Sequence, residues 1–173
     1  YWSSEYLSTA TKTTNRNSLT GSGIEMAQKA GAAVTGEGFT QLMPISWVDN
    51  GNLAFGGGNY AVYINPTTGK RFVDEGSESD GLSLAEFENG IEVNGTKGVF
   101  LEIYNASEMI PGPIQLGEGD YDGRYYRRKA NEEELSELFK EIGVTADAKT
   151  VLETIEKYDQ AVMGQGEFED VGK

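Results

Sequence analysis

The C-terminal third places the tightest constraint on what this chain can fold into. Asn131 precedes Glu134 by three residues, the spacing at which an acidic side chain reaches back to a helix-capping amide. Leu135, Leu138, Phe139 and Ile142 then fall at i, i+3, i+4 and i+7, and Gly143 closes the helix. Thr145 can cap a second helix whose inner face carries Val151, Leu152, Ile155, Tyr158 and Val162, ending near Gly164. Two amphipathic helices joined by a short turn predict a helical hairpin.

Upstream the pattern changes. Tyr60 to Ile64 has strand composition, Asn65-Pro66-Thr67-Thr68-Gly69 has turn chemistry, and Lys70 to Val73 returns, so a β-hairpin is predicted. Asp80 can cap a short helix through Leu82, Leu84, Ala85 and Phe87. Val99 to Tyr104 reads as one strand, with Leu101 facing opposite Phe100 and Glu102. Nearer the start, Gly21-Ser22-Gly23 opens a helical stretch with Ile24, Ala27 and Ala30 on one face, and Gly31 ends it. Phe39 to Met43 suits a short strand stopped by Pro44. Residues 51–59 and 105–129 read as loops, with a short extended piece at Arg124 to Arg127. Strands and helices without a regular βαβ alternation predict an α+β fold. It comprises a small mixed or antiparallel sheet with a β-hairpin, packed helices and the C-terminal helical hairpin. Residues 1–18, rich in Ser, Thr and Asn, read as a lead-in to a single domain over 19–173.

Composition then excludes chemistry. The 173 residues include no Cys and no His, which removes disulfides, thiolate or imidazole metal ligands, and Ser–His or Cys–His catalysis. No metal site is expected. Lys and Arg number 14 against 28 Asp and Glu, a net charge of −14 that repels nucleic-acid phosphates and anionic lipid. No apolar run approaches the roughly 18 residues that cross a bilayer. A start at Tyr1 rather than Met reads as a segment of a longer polypeptide.

Four features could carry function. Thr20-Gly21-Ser22-Gly23 at a helix start offers backbone amides and a positive dipole end to an anion or the polar edge of a cofactor ring; tight helix entry is the plainer account. Asp74, Glu75, Glu78 and Asp80 cluster after the hairpin, where a solvated loop with a helix cap outweighs a cation site. Tyr121, Tyr125 and Tyr126 beside Arg124, Arg127 and Arg128 form a basic–aromatic patch, more simply an edge strand with snorkelling arginines. Phe39 to Pro44 followed by a glycine-rich loop resembles a wall and a lid.

Several segments together resemble the fumarate reductase/succinate dehydrogenase flavoprotein family. Thr20-Gly21-Ser22-Gly23-Ile24-Glu25-Met26-Ala27, with Lys29-Ala30-Gly31-Ala32, is similar to the family's T-G-D-G-I-x-M-A…A-G-A run. Phe39-Thr40-Gln41-Leu42-Met43-Pro44 is similar to F-x-Q-x-H-P, and Gly69-Lys70-Arg71-Phe72-Val73-Asp74-Glu75 to G-K-R-F-V-N-E. The stretch from Glu134 to Tyr158, with Phe168 beyond it, is similar to the family's ending, so order and spacing agree over about residues 18–170.

The resemblance implies that the chain is the family's capping, or substrate, domain. Such a cap closes over the flavin ring of an FAD-binding domain belonging to the same parent chain. FAD is then the cofactor of the parent, held mostly outside this chain, which lacks a strand–GxGxxG–helix unit and is expected to be inactive alone. Gly21, Ser22 and Gly23 are implied to lie near the flavin; Gln41, Met43 and Ser79 are substrate-facing by position. No catalytic residue is assigned. The departures are informative. The family's flavin-side Asp is Ser22 here, its substrate-carboxylate His falls at Met43, and its proton-donating Arg falls at Ser79. Its Thr-Glu pair and following Arg fall near Leu53-Ala54 and Gly57. Those losses point away from fumarate and succinate, toward hydride transfer with a less anionic, unsaturated organic substrate. The alternative from another class is a degenerate cap that serves as a non-catalytic binding or interaction module.

Overall fold

A computed structural model describes residues 6–13, 15–36, 38, 40–44, 46, 48, 51, 61–104 and 131–164. Its elements are α1 (Ser22–Lys29), β1 (Ala61–Ile64), α2 (Ser79–Asn89), β2 (Ile91–Val93), β3 (Thr96–Val99), β4 (Leu101–Tyr104), α3 (Glu132–Ile142) and α4 (Ala148–Val162). The strands form two antiparallel pairs, β1 with β4 and β2 with β3.

β1 is the centre of the packing because all four of its residues are buried, a pattern that requires cover on both faces. Alternation sends Val62 and Ile64 one way, against Leu135 and Phe139 of α3 and Ala148 and Val151 of α4. Leu101 and Ile103 of β4 pack on this same cluster. Ala61 and Tyr63 point the other way, against Phe72, Val73 and Leu82 of α2, with Phe100 beside them. Tyr63, Phe72 and Phe100 form an aromatic group, with Phe72 and Phe100 edge to face at 5.8 Å. The β1–β4 pair is therefore the middle layer between α2 and the α3–α4 hairpin.

The helical hairpin follows the sequence pattern closely. Asn131 Oδ1 accepts from the Glu134 amide at 3.0 Å, and Leu135 and Phe139 are the buried positions of α3. Gly143 ends it at φ 77°, and the Val144 amide donates back to Phe139 O at 2.9 Å. Two details differ. The cap of α4 is Asp147, whose carboxylate accepts from both the amide and the hydroxyl of Thr150, rather than Thr145. The Thr145 and Ala146 amides instead donate to Pro66 O, which fastens the inter-helix turn onto the loop after β1. Val162, expected inside, is exposed at the far end of α4.

After β1, Asn65 Oδ1 accepts from the Thr67 and Thr68 amides, and Gly69 adopts φ 73°. A Cβ on Gly69 would lie 3.2 Å from both Thr150 and Val151, so this turn packs directly on α4. The returning leg makes only a bridge, Ile64 to Arg71, and β4 is the strand that pairs with β1. The expected strand over 99–104 divides at Phe100: β3 pairs with β2, whereas β4 pairs with β1. The β2–β3 turn is Asn94-Gly95, both at positive φ as a two-residue type I′ hairpin needs. Glu78, not Asp80, is the N-cap of α2, and Asp80 lies in its first turn. At the other end of α2, a Cβ on Gly90 would stand 2.5 Å from the Gly98 carbonyl carbon, so helix and hairpin touch backbone to backbone.

The lead-in is not detached. Tyr6 stacks on Phe87 at 4.9 Å, the Ser8 hydroxyl donates to Gly95 O, and the Thr96 hydroxyl donates to Ala10 O. Thr40 to Met43 forms no strand; Phe39, the glycine run 56–58 and the tyrosine–arginine stretch 121–128 lie outside the described residues. No helix among the described residues is long and apolar enough to cross a membrane, and no group of acids there could hold a metal ion.

Candidate functional site

Gly21 stands at the N-cap of α1 with φ 80°, a conformation that glycine accepts without strain. The Ile24 and Glu25 amides both donate to Gly21 O, and no side chain caps the helix. The Ser22 and Gly23 amides have no partner among the described residues. A Cβ at Gly21 or Gly23 would meet nothing within 4 Å, so the space before these amides is open. The face expected from Ile24, Ala27 and Ala30 is present, but α1 buries no residue: Ile24 is 58% exposed and Met26 66%. Glu25 in the first turn already opposes the positive end of the helix, so a strongly anionic ligand would meet a like charge there.

Gln41, Met43 and Ser79 are all exposed, and Ser79 is the first residue of α2. No hydrogen bond, ion pair or ring contact joins any of them to α1 among the described residues. None carries a positive charge.

Two buried arrangements of titratable groups lie in the β1–β4 layer and the elements packed on it. The cluster read as a solvated loop contains one: Glu75 is an interior residue. Its carboxylate takes Nε of Arg71 at 3.1 and 3.0 Å and Nη2 at 2.7 Å, with the two side chains only 4% and 5% exposed. The same carboxylate accepts from the Tyr63 amide at 2.8 Å, so it ties the returning leg to β1. The guanidinium also lies over the Tyr158 ring at 5.1 Å, joining α4 to the pair. Burial, aided by Glu75, raises the Tyr158 phenol above its ordinary range. Asp74 is more open, 3.9 Å from Arg71. The second arrangement is Glu86 on α2, facing Tyr63 and Glu102, which sit opposite one another in the β1–β4 register. Burial pushes Glu86 up to about 9, and the Glu102 charge adds to this. Burial also raises the Tyr63 phenol, with Glu102 and Glu86 contributing. The G-K-R-F-V-D-E run was the available signal for the first pair; the second depends on register across strands and a helix.

Residues 6–169 match the FAD binding domain family, which spans nearly the whole chain. The chain belongs to that FAD binding domain family, and FAD is the cofactor of the protein it is part of. Among curated relatives is an NADH:acrylate oxidoreductase of Vibrio harveyi, 48% identical over 83 residues. That alignment spans 46% of this chain and 8% of the relative's length. No solved structure matches.

The start of α1 has room for one polar edge of such a cofactor: among the described residues the Ser22 and Gly23 amides are unpartnered, and a Cβ at Gly21 or Gly23 would meet nothing. Among the described residues nothing comparable is offered to a pyrophosphate, because none of the four strands runs through a glycine-rich turn into a helix.

Proposed function

We propose that this chain is a capping, or substrate, domain of α+β fold in an FAD-dependent oxidoreductase, closing over a flavin held mainly by an FAD-binding domain of the same parent protein. The observation that carries this reading is α1. It is amphipathic, begins with open amides at Ser22 and Gly23, and leaves its whole apolar face uncovered. A helix of that pattern gains stability by tertiary cover rather than by propensity, and a flavin edge with its surrounding domain supplies such cover.

FAD, when bound, supplies hydride transfer. This chain's part is to orient and enclose. The Ser22 and Gly23 amides donate to a polar ring edge, and the β1–β4 layer with its helices forms a rigid body that shuts out water. The substrate we propose is a small unsaturated monocarboxylate. Met43 and Ser79 offer no guanidinium or imidazole to a second carboxylate. Two missing charge-assisted bonds, at about 1.5–3 kcal/mol each, weaken a dicarboxylate by roughly two to four orders of magnitude. An acrylate-type enoate requires one clamp fewer, in keeping with the name of the Vibrio harveyi relative.

The test is expression of the parent chain followed by anaerobic mixing of its reduced flavin with acrylate, then with fumarate. Reoxidation by acrylate well above that by fumarate is expected. A parent that copurifies without flavin overturns the enzyme reading in favour of a binding module. Faster reoxidation by fumarate overturns the substrate class alone.

A further inference from the structure

Glu86 is an acid without a counter-charge among the described residues. It is 7% exposed on the inner face of α2, and its Oε1 atom has no hydrogen-bond partner among the described residues. Among the described residues no ion pair joins it to a cation. From β4 comes the Glu102 carboxyl, and from β1 the Tyr63 phenol. Behind Tyr63 lies Glu75, whose carboxylate already occupies Arg71. On α2 itself the neighbour one turn earlier is Ser83, 2% exposed and with its hydroxyl also unpartnered, while Asp80 and Glu88 face solvent. β3 brings Lys97 on its exposed side, and the N-terminal segment brings Tyr6, stacked on Phe87.

An ionised carboxylate here would lose its hydration and face a like charge. The neutral acid loses far less hydration and meets no like-charge repulsion. We infer that α2 docks on the β1–β4 layer with Glu86 protonated, and that ionising this carboxyl releases the helix together with Leu82, a proton-controlled latch that makes the docking of α2 a pH-sensitive step of the fold. The direction follows from linkage. Burial raises Glu86 from 4.5 to about 9 in the folded chain, so the folded state holds a proton that the unfolded or undocked state gives up. The stabilisation is complete below about pH 4.5, declines through the interval between these values, and is fully lost above pH 9. Within that interval the opening equilibrium of α2 shifts by up to about tenfold per pH unit.

Amide hydrogen exchange of residues 82–90 in the 173-residue chain, corrected for intrinsic rates, reads this directly between pH 6 and 8. The wild type should show an opening constant that rises several-fold to tenfold per unit, and Glu86→Gln should abolish that slope. A wild-type slope of zero, or an equal slope in Glu86→Gln, overturns the latch. A carbon-13 titration of the Glu86 carboxyl in the wild type serves even if the variant fails to fold. A midpoint above pH 7 supports the latch, and one in the ordinary carboxylate range overturns it.

Discussion

Removing the Glu75 carboxylate should unseat the turn that follows β1. The Arg71 and Glu75 side chains are 4% and 5% exposed, so Glu75→Ala leaves a buried guanidinium whose nearest carboxylate among the described residues is Asp74, at 3.9 Å and half open to solvent. Breaking a buried pair from one side costs about 3–5 kcal/mol. The Tyr63 amide also loses its acceptor, which adds about 1–3 kcal/mol for a buried donor left unmade. The combined loss, about 4–8 kcal/mol, is comparable to the whole stability of many domains, about 5–15 kcal/mol. Urea denaturation followed by circular dichroism would measure it, and at this chain length each 1 kcal/mol lowers the melting temperature by roughly 2–4 °C. Two companions separate the terms. Glu75→Gln keeps an acceptor for the Tyr63 amide and should cost less than Glu75→Ala. Adding Arg71→Met to Glu75→Ala should recover stability, because it removes the stranded charge. Glu75→Ala within about 1 kcal/mol of wild type, or a double variant no better than the single, refutes the reasoning.

Ile64→Ala, at a fully buried site touching the helical hairpin, should cost about 2–5 kcal/mol with an unchanged denaturant slope; a loss below 1 kcal/mol would mean that β1 is not the central layer. Asp147→Ala should destabilise α4 by about 0.5–2 kcal/mol, whereas Thr145→Ala, whose backbone makes the relevant bond, should be near neutral by thermal melting.

What the amino-acid order reveals here divides by range of interaction. The face of α3 and its Gly143 stop were legible because cap, period and terminator are local and agree. The cap of α4 was not. Thr145 and Asp147 are both good caps, and the choice is made by Pro66 O, roughly eighty positions away, which engages the Thr145 and Ala146 amides. Alternation from Val99 to Tyr104 correctly sends Leu101 and Phe100 to opposite clusters, but period alone cannot name a partner, so the change from β2 to β1 at Phe100 was hidden. Asn94-Gly95 is different: this dipeptide is a strong and local hairpin signal, so the β2–β3 turn is written in the sequence itself. Glu75 and Glu86 look like any other acids in a chain with 28 of them. Their burial depends on what β1 and β4 place opposite.

The candidate site raises the same issue in reverse. α1 and α4 are both amphipathic, yet α4 buries Ala148 and Val151 against β1, while α1 buries nothing. Amphipathic spacing specifies that a face requires cover, not where the cover comes from. For α4 the supplier lies within the described residues. For α1 it does not, although Gly21, Ser22 and Gly23 form an uncapped helix start with open space before it. In a member of a flavin-binding family the economical source is the flavin with its surrounding domain. On the proposed reading, the exposure of Ile24 and Met26 is then a property of this segment taken alone, and both side chains become buried when the FAD-binding domain closes on it.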